Sequence, residues 1–176
     1  MRIEVNNQWV EAKPGEMLLT TLRRAGIRIP TLCHLEGLPP SGACRLCSVE
    51  VEGAPALVPS CAYPVREGLK VRTHSPRAVR ARKTIIELLL ADHPDDCLYC
   101  SRNGICQLQG LAAELGVRER RYQGARSSPH LDLSSPAIER DPAKCILCGK
   151  CVRTCEEVQS VAAIDFVGRG CRTRVA

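Results

Sequence analysis

The sequence predicts an α+β chain assembled from several very small parts, and three observations carry that expectation. Short runs of period-two hydrophobicity flank an Asn-Asn pair near the N-terminus and recur further along. A single helical stripe separates them, and twelve cysteines fall into three groups along 176 residues. Aromatic residues make up only 3% of the chain: Trp9, Tyr63, Tyr99, Tyr122 and Phe166. A core of Leu, Val, Ile and Ala in such small parts needs a further staple. The cysteines are the candidates.

Residues 1–78 are expected to form the first domain. The stretch RIEVNNQWVEA gives two short runs around Asn6 and Asn7, a hairpin signature. GEMLLTTLRRAG follows, with Met17, Leu18, Leu19 and Leu22 at near-helical spacing and Gly26 as the stop. CSVEVEG and GLKVRT read as further strands, so hairpin, helix and strands form an α+β grasp around one helix. Ser75 and Pro76 suit the N-cap and first turn of a helix through RAVRARKTIIELLLAD, which delivers the chain to His93. A shorter helix covers LQGLAAEL and ends at Gly116. Residues 79–118 thus make a second, helical domain. Residues 119–140 are Arg-, Ser- and Pro-rich and read as an extended connector, and 141–176 as a third segment.

The cysteines admit disulfides, metal ligation or simple burial. MRIEVNNQWVEAKPGE shows no secretory targeting segment, and the longest apolar run, IIELLLA, is far too short to span a membrane. The expectation is a cytoplasmic chain with reduced thiols, where cysteine groups serve metals more often than disulfides. The formal charge of +6 is spread over several Arg-rich stretches without interleaved aromatics, which argues for solvated surface and against nucleic acid.

Spacing identifies the metal. Cys145, Cys148, Cys151 and Cys155 read C-x2-C-x2-C-x3-C, the bacterial ferredoxin run for a 4Fe–4S cluster, with Glu156 where proline usually follows. Zinc also uses C-x2-C pairs but combines two of them and does not favour this triplet. Cys33, Cys44, Cys47 and Cys61 form C-x10-C-x2-C-x13-C. Ten residues rather than four separate the first two, but the order of the plant-type 2Fe–2S run persists: a cysteine, a Gly-containing loop, a C-x2-C pair and a distant fourth. Between these groups lies H-x3-C-x2-C-x5-C. Cys97, Cys100 and Cys106 are one ligand short of a set, and His93, at the end of a helix, is the candidate to complete it. Imidazole in place of thiolate removes a negative charge and should raise the reduction potential, as in Rieske centres. His34, His74 and His130 are read as solvent-facing or capping side chains.

Taken together, the three patterns resemble one iron–sulfur module. It occurs at the N-terminus of the large peripheral subunit of respiratory complex I and of iron-only (FeFe) hydrogenases. It is also found in diaphorase small subunits of NAD-linked hydrogenases and in NAD-dependent formate dehydrogenases. EEVQSVAAIDFVGRG after Cys155 looks most like the hydrogenase and formate dehydrogenase branch. The resemblance implies a β-grasp 2Fe–2S ferredoxin domain, a small helical 4Fe–4S domain with one histidine and three cysteine ligands, and a partial ferredoxin-like 4Fe–4S segment. It implies one 2Fe–2S and two 4Fe–4S clusters. The implied role is to relay single electrons between a flavin/NAD(H)-binding diaphorase-type subunit and a catalytic hydrogenase or formate dehydrogenase subunit. Such relatives continue into a second cysteine triplet, whereas this chain stops at Ala176 and looks truncated there. The fourth ligand of the last cluster stays open between Cys155 and Cys171. No G-x-G-x-x-G follows a strand and no nucleophile–base pair stands out, so a non-catalytic subunit is expected. An iron–sulfur sensor and a zinc scaffold are the rival readings.

Overall fold

The computed structural model describes residues 1–124 and 131–176; His130 lies outside them. The chain divides into two compact units, Met1–Ile85 and Ile86–Ala176.

In the first unit β1 (Arg2–Val5) and β2 (Gln8–Glu11) pair antiparallel with Val5 opposite Gln8, so Asn6 and Asn7 alone turn the chain. Their φ values of 52° and 67° are the left-handed pair that a two-residue hairpin requires and that asparagine tolerates. Helix α1 (Leu18–Arg24) buries Leu18, Leu19, Thr21 and Leu22, and Gly26 follows it at φ 74°. Three further strands, β3 (Ser48–Val51), β4 (Val58–Pro59) and β5 (Lys70–Arg72), complete a sheet of order β2-β1-β5-β3-β4. Only β1 and β5 run parallel. The two-residue period turns Ile3, Val5, Val49, Val51 and Val71 into one core with the α1 leucines, and Cys47 and Cys61 join it. A mixed sheet packed on one helix is the α+β arrangement that the hydrophobic periods predict. Strand β4 was not anticipated: two residues carry no period.

Helix α2 (Pro76–Asp92) starts where Ser75 caps it, the Ala78 amide donating to Ser75 Oγ at 3.2 Å, and runs into the second unit. There α3 (Gln107–Glu114) buries Leu108, Leu111 and Ala112 and gives way to Gly116 at φ 64°. Of the residues read as a connector, the described ones up to Gly124 are tied to α2. Arg121 Nη2 donates to the buried Glu87 Oε2 at 2.7 Å, and the Gly124 amide to Ala91 O at 3.3 Å. A Cβ at position 124 would lie 2.8 Å from that carbonyl, so the approach requires glycine. Helix α4 (Lys150–Arg153) continues as a π-helical turn, Thr154–Val158. A small hairpin of β6 (Phe166–Val167) and β7 (Arg174–Val175), unforeseen from the sequence, closes the described chain. Among the described residues no helix is long and apolar enough to cross a membrane.

Candidate metal centres

All twelve cysteines are free thiols, and the structure gathers most of them by group. Cys33, Cys44 and Cys47 lie on the loop between α1 and β3, and Cys61 on a 3-10 turn, Ser60–Ala62. Gly37, Gly42 and Arg45 have φ of 81°, 62° and 58°. These left-handed positions fold the loop tightly, and the Cys44 amide donates to Cys33 Sγ at 3.4 Å. Ser60 donates from both its amide and Oγ to the Cys47 carbonyl, at 3.2 and 2.8 Å, which locks the Cys61 turn beside Cys47.

The thiols form two interacting pairs. A hydrogen bond from the Cys44 thiol holds Cys33 down to about 4, and one from Cys61 holds Cys47 down to about 6, each against the cost of burial. The donors Cys44 and Cys61 are pushed up by those same bonds and by burial. Without a cation the set therefore ionises by halves. Four thiolates in this pocket need a positive centre among them, which the ferric irons of a cluster provide. The donor set fits a 2Fe–2S cluster.

In the second unit Leu90, His93, Cys97, Cys100 and Cys106 line one cleft. The last turn of α2 presents His93, whose amide donates to Leu90 O at 3.3 Å; Cys97 opens a 3-10 turn and Cys106 precedes α3. Arg120 Nη2 fixes the histidine's peptide by donating to His93 O at 2.9 Å, and reaches Asp95 Oδ1 at 3.0 Å. His93 Nδ1 is buried without a hydrogen-bond partner. Burial, more than any other influence, holds the imidazole below its ordinary value, so it stays neutral. An orphaned nitrogen on a neutral ring among three thiols fits the fourth ligand of a cubane.

The third group is more open. Asp141 caps the turn Pro142–Lys144 that leads into Cys145. Leu147 and Gly149, at φ 52° and 72°, wrap the loop before Cys151 on α4 and Cys155 on the π-helical turn. The Leu147 amide donates to Cys145 Sγ at 3.4 Å and the Ala163 amide to Cys155 Sγ at 3.2 Å. A Cβ on Gly149 would meet the Phe166 ring at 3.3 Å, so β6 packs on this loop. Cys171 is exposed on the turn Gly170–Arg172 of the terminal hairpin. Of the other histidines, exposed His74 takes part in a 2.7 Å hydrogen bond with Thr73 Oγ1, and His34 is half-buried. Among the described residues no three His, Cys, Asp or Glu side chains converge as the ligands of a single metal ion do. Sequence reasoning passed over Ser60, Arg120 and Lys144. Asp-Pro at 141–142, a turn-capping pair directly before Cys145, was the one local signal.

Residues 1–76 match the family described as a 2Fe-2S iron-sulfur cluster binding domain, and residues 82–121 the NADH-ubiquinone oxidoreductase-G iron-sulfur binding region. The chain is 41% identical over its full length to the NADP-reducing hydrogenase subunit HndD of Solidesulfovibrio fructosivorans, and covers 31% of it. It is 36% identical to the NADH-ubiquinone oxidoreductase 75 kDa subunit of Reclinomonas americana, with 100% of this chain and 26% of that protein covered. It thus spans about a third or less of these curated relatives. Its fold superposes on a crystal structure of an NAD+-reducing NiFe hydrogenase in the H2-reduced state with a TM-score of 0.91 at 33% identity, covering 99% of this chain and 73% of that one. Carrying a 2Fe–2S domain followed by a 4Fe–4S region, the chain belongs to the family of iron–sulfur modules shared by NAD(P)-linked hydrogenases and the large peripheral subunit of complex I.

Proposed function

We propose that this chain is a non-catalytic electron-transfer subunit or segment, cytoplasmic in location. It relays single electrons between a flavin/NAD(H)-binding diaphorase-type partner and a catalytic hydrogenase or formate dehydrogenase subunit. Cys33, Cys44, Cys47 and Cys61 hold a 2Fe–2S cluster. His93, Cys97, Cys100 and Cys106 hold a 4Fe–4S cluster, and Cys145, Cys148 and Cys151 are the firm ligands of a second. Clusters in these sites supply one-electron storage at low reorganisation cost. The chain's own residues do the rest: Ser60 and Arg120 fix the peptides of Cys47 and His93, and the amides of Cys44, Leu147 and Ala163 donate to sulfur. Such N–H···S bonds stabilise added negative charge and so favour the reduced state.

The observation that carries this reading is the cleft that a half-buried imidazole, its Nδ1 buried without a hydrogen-bond partner among the described residues, lines together with three thiols. Anaerobic reconstitution with iron and sulfide tests it. The loaded protein should be brown, bleach with dithionite, and give separate paramagnetic signals from two-iron and four-iron centres. A colourless protein that takes up zinc and no iron would overturn the proposal.

A further inference from the structure

Lys144 immediately precedes Cys145, yet its ammonium is held by the loop that leads into Cys97. Nζ lies 3.1 Å from Asp96 Oδ2 and 3.6 Å from Asp141 Oδ2. Asp141 also accepts from the Ala143 amide at 3.1 Å, so the turn that presents Cys145 fixes the lysine's backbone. The carboxylate next to Cys97 fixes its head. Both partners are partly sheltered, 32% exposed for Lys144 and 39% for Asp96. This lifts their interaction above that of a fully solvated pair.

Asp96 directly precedes Cys97 and Lys144 directly precedes Cys145, so each charge of the 3.1 Å pair sits one residue from a candidate ligand of a different centre.

We infer that the Asp96–Lys144 ion pair is an electrostatic joint between the His93 centre and the Cys145 centre, through which Lys144 raises the reduction potentials of both clusters and Asp96 lowers them. The inference rests on the ligand sets proposed above. Each cluster takes up one electron from its donor without needing a proton, so the reduced form carries one more negative charge. A fixed cation nearby stabilises that charge and a fixed carboxylate opposes it. Removing the lysine does more than delete one positive charge, because it leaves Asp96 and Asp141 uncompensated beside both centres. Lys144 acts as a positioning and tuning residue; it is not a ligand.

The test is a redox titration of the full reconstituted chain, followed by the paramagnetic signals, for wild type, Lys144→Met, Lys144→Arg, Asp96→Asn and the double variant Asp96→Asn/Lys144→Met. Lys144→Met should move the oxidised-to-reduced ratio of both four-iron centres about tenfold toward oxidised at fixed potential, ~59 mV for a one-electron couple. Lys144→Arg should restore it, Asp96→Asn should shift it the other way, and the double variant should return toward wild type. The difference between wild type and Lys144→Met should also shrink at high salt. Unchanged potentials in a fully loaded Lys144→Met protein, or movement of one centre alone, overturn the joint. So does a Lys144→Arg variant that behaves like Lys144→Met. If Lys144→Met does not load, Asp96→Asn decides by the sign of its shift. A wild-type chain that loads only about two irons overturns the ligand reading beneath the inference, and one that loads about six has no third cluster to share the pair.

Discussion

Arg82 donates from Nε to the Leu46 carbonyl at 3.1 Å and from Nη2 to the Ser48 carbonyl at 2.8 Å, so one guanidinium from α2 holds both residues that flank Cys47. The side chain is 2% exposed. Arg82→Met should strip two buried carbonyls of their donor and destabilise the first unit by about 1–3 kcal/mol, while Arg82→Lys, able to reach one carbonyl, should fall between. The 2Fe–2S cluster should also be retained less well, because the loop bearing Cys44 and Cys47 loses its anchor. Urea unfolding followed by circular dichroism and visible absorbance checks this. A wild-type midpoint in Arg82→Met would refute the anchoring role.

Such an anchor was not legible in the sequence, and the reason is physical. Arg82 and Glu87 lie on a helix rich in Arg and Lys, where charge ordinarily means a solvated face. They are buried because their partners, the carbonyls around Cys47 and the guanidinium of Arg121, come from more than thirty residues away. Local signals read far better. Asn6-Asn7 marked a two-residue turn because asparagine tolerates positive φ, and Ser75 marked the start of α2 because its hydroxyl satisfies a free amide. The cysteine groups stood out for a similar reason, since their spacing is a local property of the chain. The hairpin β6–β7 was missed because two-residue strands have no period, and the π-helical turn at Thr154–Val158 because nothing in TCEEV departs from an ordinary helical turn.

His93 gives the sharpest single-residue expectation. Its Nδ1 is buried and unpartnered in the cleft with Cys97, Cys100 and Cys106. His93→Cys should keep four irons at this centre and lower its potential by at least ~59 mV, a tenfold shift for a one-electron couple, since thiolate adds a negative charge. His93→Ala should lose the centre or leave it labile. An alanine variant with full iron content and an unchanged potential would show that the imidazole is not a ligand.

Acid should weaken the first unit through Glu16. The Arg24 guanidinium, more than any other influence, holds its carboxyl down to about 2 from an ordinary 4.5; burial, next in size, opposes it, and Thr21 Oγ1, donating at 2.7 Å, adds to the lowering. A carboxylate whose folded value is depressed stabilises the fold fully above its unfolded value and loses that contribution as pH falls through the folded one. The advantage of wild type over Glu16→Gln should therefore be constant above about pH 5 and should fade between about 4.5 and 2. Both proteins are compared at each pH, so loss of cluster in acid cancels. A difference that grows as pH falls would contradict the assignment.

The last expectation concerns what closes the third centre. Cys145 and Cys148 lie on a loop that two left-handed residues, Leu147 and Gly149, wrap tightly, and Cys151 follows on α4, so their thiolates should bind three irons of a cubane. Two cysteines compete for the fourth iron. Cys155 follows on the π-helical turn, its Sγ already accepting from the Ala163 amide at 3.2 Å, as a thiolate beside a cluster would. Cys171 sits exposed on the terminal hairpin, whose strand β6 packs against Gly149 through Phe166. The amide contact favours Cys155. On that reading the wild-type chain should bind about 10 irons and Cys171→Ser the same, whereas Cys155→Ser should fall toward about 6 as the third centre becomes labile. The two-cluster ferredoxin pattern makes a different prediction, since its fourth cysteine serves a neighbouring cubane and Cys155→Ser would then leave the first cluster's count unchanged. Iron and sulfide analysis after anaerobic reconstitution separates the two. Loss of iron in Cys171→Ser but not Cys155→Ser would move the fourth ligand to the hairpin. A wild-type count near 14 would mean that a further cubane is held by residues outside these three groups.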